Sequence, residues 1–78
     1  MIQVGDKVRF SAETSDWSLR DWYGAEREQA ERLNGQVGTV SYVEISGPLE
    51  AALYLDVEFD SEQLNAVCHT HFEVVRDQ

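Results

Sequence analysis

Seventy-eight residues with 42% hydrophobic content, including two Trp, three Tyr and three Phe, make a single small globular domain spanning residues 1–78, too apolar for a disordered chain. No apolar run approaches the roughly 18 residues that a membrane span needs, and the opening "MIQVGDKVRF" puts charge and glycine where a signal peptide needs apolar residues. Fifteen acids against six bases leave a net charge of −9, with no Lys or Arg between Leu33 and Val75, so nucleic acid is disfavoured as a partner; the acidic surface reads first as a solvated, solubility-promoting one, and the sharper alternative is a surface made for a basic partner protein.

Residues 4–10 read as a first strand, with Val8 and Phe10 on one face and Lys7 and Arg9 on the other. The polar stretch "SAETSD" reads as a loop. Residues 18–33, "SLRDWYGAEREQAERL", read as a helix capped by Ser18 or Asp16. Leu19, Trp22, Tyr23, Ala30 and Leu33 share one face of it, and Glu28 and Arg32 form an i,i+4 pair. Gly24 weakens that helix by about 1 kcal/mol relative to Ala, so its first turns are expected to be irregular. Asn34-Gly35 supplies the stop.

Residues 36–45 read as a second strand and "SGPLE" as a turn. Gly38 falls inside the strand, where glycine marks a bulge or a close backbone approach, and a bend is expected there. Residues 53–60, "LYLDVEFD", alternate strictly: Leu53, Leu55, Val57 and Phe59 face one way, Tyr54, Asp56, Glu58 and Asp60 the other. Residues 64–68 and 72–75 are the two remaining strands, after a tight connection at residues 60–62. Five short strands with one long insertion favour a small, strongly bent barrel. Its expected core is Val8, Val40, Leu55, Val57, Phe59 and Phe72, with Glu58 pointing outward.

"VGDKVRF" followed by "LNGQVGTVSYVE" resembles the KOW motif and the wider group of SH3-like small barrels. The resemblance is carried by Gly5-Asp6, Val8, Phe10, Gly35, Gly38 and Val40, with "YLDVEFD" and "FEVV" resembling the later strands. It implies a mostly β fold, a five-stranded SH3-like barrel, into which the α-helix read at about residues 18–33 is inserted between the first and second strands. It also implies a domain that binds protein or RNA, often in ribosomes or transcription complexes, and rarely catalyses. The inserted helix departs from that pattern and suggests a specialised binding element. The shortage of basic residues departs from it too.

The candidate partner-binding residues are Trp17, Trp22 and Tyr23, because Trp and Tyr are enriched among interface hot spots. Asp56, Glu58 and Asp60 join them as an acidic row, spaced about 6.6–6.8 Å apart on a strand, about twice the phosphate spacing of one DNA strand. "CHTH" groups Cys68, His69 and His71, but zinc needs three or four ligands and no second Cys or third His exists. On a strand Cys68 and His69 would point to opposite faces, so no nucleophile pair is expected. No enzymatic activity, metal or other cofactor is expected. The lone Cys68 cannot form an internal disulfide, which fits a cytoplasmic, reducing compartment.

The leading expectation is therefore a non-enzymatic protein-binding module or small regulatory protein. One alternative is an acidic polyanion mimic that inhibits a nucleic-acid-binding enzyme, of the phage or mobile-element type. Another is a KOW-like RNA- or ribosome-associated domain using Lys7, Arg9 and Arg76.

Overall fold

The computed structural model describes residues 2–47 and 52–76. Its strands are β1 (Lys7–Phe10), β2 (Val37–Ser46), β3 (Ala52–Glu58), β4 (Gln63–Cys68) and β5 (Phe72–Val74). They form one antiparallel sheet in the order β4-β3-β2-β1-β5. Helix α1 (Gly24–Leu33) lies between β1 and β2, and 3-10 turns occupy Leu19–Asp21 and His69–His71. The expected turn at residues 46–50 falls mostly on residues 48–50, outside the described residues. Among the described residues no helix is long and apolar enough to cross a membrane.

Alternation decides which side of β1 and β3 is buried. Val8 and Phe10 on β1, Val40 on β2, Leu55 and Val57 on β3, Leu64 and Val67 on β4, and Phe72 on β5 join Ala12, Ala30 and Leu33 in one buried cluster. Five of the six expected core residues lie in it. Phe59 packs against its edge, half-buried, because β3 ends at Glu58 and Phe59 already belongs to the turn, its amide donating to the Glu62 carbonyl at 2.7 Å. Glu58 is exposed, as expected.

The inserted helix is shorter than expected. Residues 19–21 form a separate 3-10 turn, begun by Ser18, whose amide donates to the Asp21 carboxylate at 2.7 Å. Trp22 and Tyr23 are extended, with ψ of 144° and 145°. The chain breaks there because Trp22 turns inward: its indole N–H donates to the Ala12 carbonyl at 2.9 Å and its ring meets Phe10 edge-on at 6.0 Å. Gly24 then enters α1 at φ +58°, a conformation costly for any residue with a Cβ. Tyr23 consequently leaves the apolar face and is 77% exposed, while Ala30 and Leu33 keep it.

At the other end Asn34 and Gly35 stop the helix. The Asn34 side-chain oxygen accepts from the Ala12 amide at 2.8 Å, and the Gly35 amide donates to the Phe10 carbonyl at 2.7 Å. Arg32 does not pair with Glu28. It forms a two-pronged ion pair with Glu62 at 2.7 and 3.1 Å, while Arg27 and Glu31 form the i,i+4 pair at 3.8 Å. With Gln29 donating to the Gln63 carbonyl at 3.1 Å, Arg32 pins α1 to the β3–β4 turn. The hydrogen bonds from Arg32 hold the Glu62 carboxyl below its ordinary value of 4.5. A depressed carboxyl stabilises the fold above its unfolded value, and that contribution is lost as pH falls through the folded one. The urea midpoint of the parent should therefore exceed that of Glu62→Gln at pH 7, and the gap should close progressively below pH 4.5.

The irregularities sit elsewhere than expected. Gly38 pairs regularly with Val8, and the register of β2 shifts between Val40 and Tyr42 instead. Gly38 marks a close approach: a Cβ there would stand 2.7 Å from the Glu58 carbonyl oxygen. A second shift lies between Leu55 and Val57, where Asn65 and Ala66 of β4 together face Asp56. Ala66 takes φ 55°, and the Asp56 carboxylate accepts from its amide at 2.8 Å.

Candidate functional site

The loop after β1 builds one wall of a groove. Thr14 and Trp17 close a tight turn through paired backbone hydrogen bonds of 2.8 and 3.4 Å, with Ser15 and Asp16 at its tip. The turn sets the Trp17 ring edge-on to Trp22, 6.4 Å between centroids and 84° between planes. Trp22 is fixed by its bond to Ala12, whereas Trp17 remains 44% exposed. His71 enters from the 3-10 turn before β5. Its ring lies 5.2 Å from Trp22 and 6.3 Å from Trp17, and only 6% of the residue is exposed. The four rings of Phe10, Trp17, Trp22 and His71 thus form a continuous stack of tilted and edge-on contacts from the core to the surface.

His71 Nδ1 lies 2.9 Å from the Ser11 carbonyl oxygen. A carbonyl only accepts, so Nδ1 donates there, and the tautomer with its proton on Nδ1 has its lone pair on Nε2. Tyr54 of β3, residues 65–68 of β4 and Thr70 complete the lining of this open groove, whose volume is about 460 Å³. Among the described residues Asp16 and Glu26 bring the groove's two carboxylates, and neither Lys nor Arg lines it. Glu26 is in the first turn of α1, so the Arg32–Glu62 clamp on the helix also positions this carboxylate.

Of the six candidate residues, the fold unites Trp17 and Trp22 and separates the rest. Tyr23 is outside the groove because the break before α1 turns it away from Trp22. Asp56, Glu58 and Asp60 are not on the groove and do not form one free row. Asp56 is half-buried and occupied by the Ala66 amide, Glu58 closes β3, and Asp60 belongs to the turn beyond it. The groove instead uses Tyr54, His71, Asp16 and Glu26, which sequence reasoning did not single out as site residues. Tyr54 stands on the solvent-facing side of the alternation, a signal that it is free to line something. Nothing local links it to Trp17, 37 positions away.

The "CHTH" residues diverge. His69 Nδ1 stands 3.3 Å from the Leu53 carbonyl oxygen, while His71 faces Ser11. Cys68 and His69 do meet, contrary to the strand-based expectation: Sγ and Nδ1 are 4.0 Å apart. The reason is that β4 ends at Cys68 and His69 begins a 3-10 turn, which abolishes the strand's alternation. Thr70 also donates its hydroxyl to the Cys68 sulfur at 3.4 Å. Among the described residues no three His, Cys, Asp or Glu side chains are grouped to hold a metal ion. The basic residues Lys7 and Arg9 are engaged with the Thr39 hydroxyl at 2.7 Å and the Gly35 carbonyl at 2.9 Å.

Comparison of the chain with family models, with curated proteins and with solved structures finds no match.

Proposed function

We propose that this chain is a non-enzymatic protein-binding module and that the groove between the 14–17 turn, α1 and the β3–β4 edge is its binding surface. The observation that carries this reading is the half-exposed Trp17 standing on an anchored Trp22 beside a groove of about 460 Å³. A large aromatic ring held at low entropic cost beside a concave surface is what an interface hot spot requires. The single Cys68 agrees with a cytoplasmic setting.

The scaffold proposed is an SH3-like small barrel. The sheet's two edge strands, β4 and β5, are joined through the three residues of one 3-10 turn. Opposite edges of a flat five-stranded sheet lie about 19 Å apart, at roughly 4.8 Å per strand step. Four residue steps from Cys68 to Phe72 reach at most about 14 Å. The sheet therefore has to curl, and a single buried cluster fed by all five strands agrees with that.

The acidic-mimic reading draws less support, since Asp56 is already employed within the fold and Asp60 leaves the strand. The RNA-associated reading is weakened likewise by the engagement of Lys7 and Arg9.

Affinity capture from native-host lysate is the test. A partner retained by the parent should be lost with Trp17→Ala, with a fall of at least about tenfold as expected for a hot-spot tryptophan. Tyr23→Ala, outside the groove, should capture normally. Equal capture by Trp17→Ala and the parent would mean that the groove is not the binding surface.

A further inference from the structure

We infer that the groove recognises an arginine side chain presented by a basic segment of the partner protein. The inference rests on the protein-binding reading above and names what the groove takes. Three independent features converge on a planar cation that carries N–H donors.

The first is His71. With Nδ1 bound to Ser11, its Nε2 has no hydrogen-bond partner among the described residues. No buried side-chain nitrogen or oxygen among the described residues lacks a partner, so Nε2 is not sealed within the core, and His71 is one of the residues that line the groove. A residue only 6% exposed thus offers one unused acceptor to whatever enters. The second is the pair of indole rings. A guanidinium stacks on an indole face and is more weakly hydrated than an ammonium, so it loses less on leaving water. The third is charge: Asp16 and Glu26 line the groove, and among the described residues no Lys or Arg does. A quaternary ammonium would leave Nε2 unsatisfied. A lysine ammonium satisfies one acceptor as a compact point charge, whereas the guanidinium's five donors reach a ring nitrogen and a carboxylate while its plane stays stacked.

The experiment uses the full chain labelled with ¹⁵N, titrated with the blocked tripeptide acetyl-Gly-Arg-Gly-amide. The same tripeptide with lysine, and with citrulline, the uncharged isostere of arginine, are the comparisons. The arginine peptide should give saturable shifts at the indole N–H of Trp17 and Trp22 and at His71 Nε2. The lysine peptide should bind at least about fivefold more weakly, and the citrulline peptide should give no saturable shift. The double variant Asp16→Asn/Glu26→Gln changes two exposed side chains without loss of volume, and it should weaken the arginine peptide by about fivefold or more.

Equal affinity for arginine and citrulline, equal affinity for arginine and lysine, or shifts centred on Glu58 and Asp60 would each overturn the inference. So would silence at all three peptides, even if capture through Trp17 succeeds, because the partner then inserts a different group. Groove binding of arginine without Trp17-dependent capture would uphold arginine recognition by the groove and overturn the reading of the groove as the surface that captures a partner protein.

Discussion

Phe10→Ala is expected to remove about 3–5 kcal/mol of stability, the range for deleting a buried phenylalanine. Phe10 is 1% exposed and stands where core and groove join. Its ring lies 5.5 Å from Phe72, 6.0 Å from Trp22 and 6.0 Å from His71. Both aromatic walls of the groove therefore rest on it, and its backbone ties β1 to Gln36 and Gly35. A small domain has on the order of 5 kcal/mol to lose, so the alanine variant should be largely unfolded near 37 °C. Phe10→Leu should keep the fold, at a cost of roughly 1–2 kcal/mol. It should also loosen Trp22, visible as a change in tryptophan fluorescence in the native state. Urea melts followed by far-ultraviolet circular dichroism would decide the first point. A midpoint for Phe10→Ala that implies a loss below about 1 kcal/mol would show that the ring stack does not support the core.

Gly38→Val should cost about 3 kcal/mol, and Gly38→Ala about 2 kcal/mol, through overpacking. A Cβ on Gly38 would lie 2.7 Å from the Glu58 carbonyl oxygen, 2.8 Å from Val57 Cγ1 and 3.0 Å from Phe59 Cδ2. The nearest of these is backbone and cannot rotate away. Nor can β2 retreat, because Gly38 is paired with Val8 on one side while Thr39 is paired with Glu58 on the other. The alanine variant is the sharper measurement, since it tests the approach of one carbon without the added bulk of a branched chain. Glu58→Gln is the control: its side chain is exposed, and the change should stay within about 0.5 kcal/mol. Coincident melts for Gly38→Ala and the parent would mean that the two strands separate freely at this point.

The contrast between Gly38 and the bulge three residues on shows where pattern reading stops. A glycine inside a strand signals that something comes close to the backbone. It does not say whether the chain bends there or a neighbouring strand presses on it. The neighbour is Glu58, twenty positions away, and its carbonyl oxygen belongs to a pairing that no local sequence feature specifies. Asp56 makes the same point. Alternation places it beside Glu58 on the outward face, which holds for Glu58. The register shift against β4 brings the Ala66 amide within 2.8 Å of its carboxylate and leaves Asp56 half-buried.

What the sequence by itself determined is the inventory of elements and most of their faces. Strict alternation over residues 53–59 sends Leu55 and Val57 inward. The same period puts Val8 and Phe10 on one side of β1, and Asn34-Gly35 ends the helix where it should. Those features depend on neighbours within a few positions, where backbone geometry and side-chain period act directly. Tertiary structure alone decided the start of α1 and the make-up of the groove. Helical spacing groups Trp22 with Tyr23, but burying the Trp22 ring on Phe10 and satisfying its N–H at Ala12 outweighs two more residues of helix, and the break that follows turns Tyr23 outward. Trp17 and Trp22 from the connection after β1, Tyr54 from β3 and His71 from the turn before β5 come from three separate segments. They meet because β1 pairs with both β2 and β5, which carries the loop after β1 to the 3-10 turn before β5. Such long-range pairing follows from the packing of the whole core, and no short window of residues contains it.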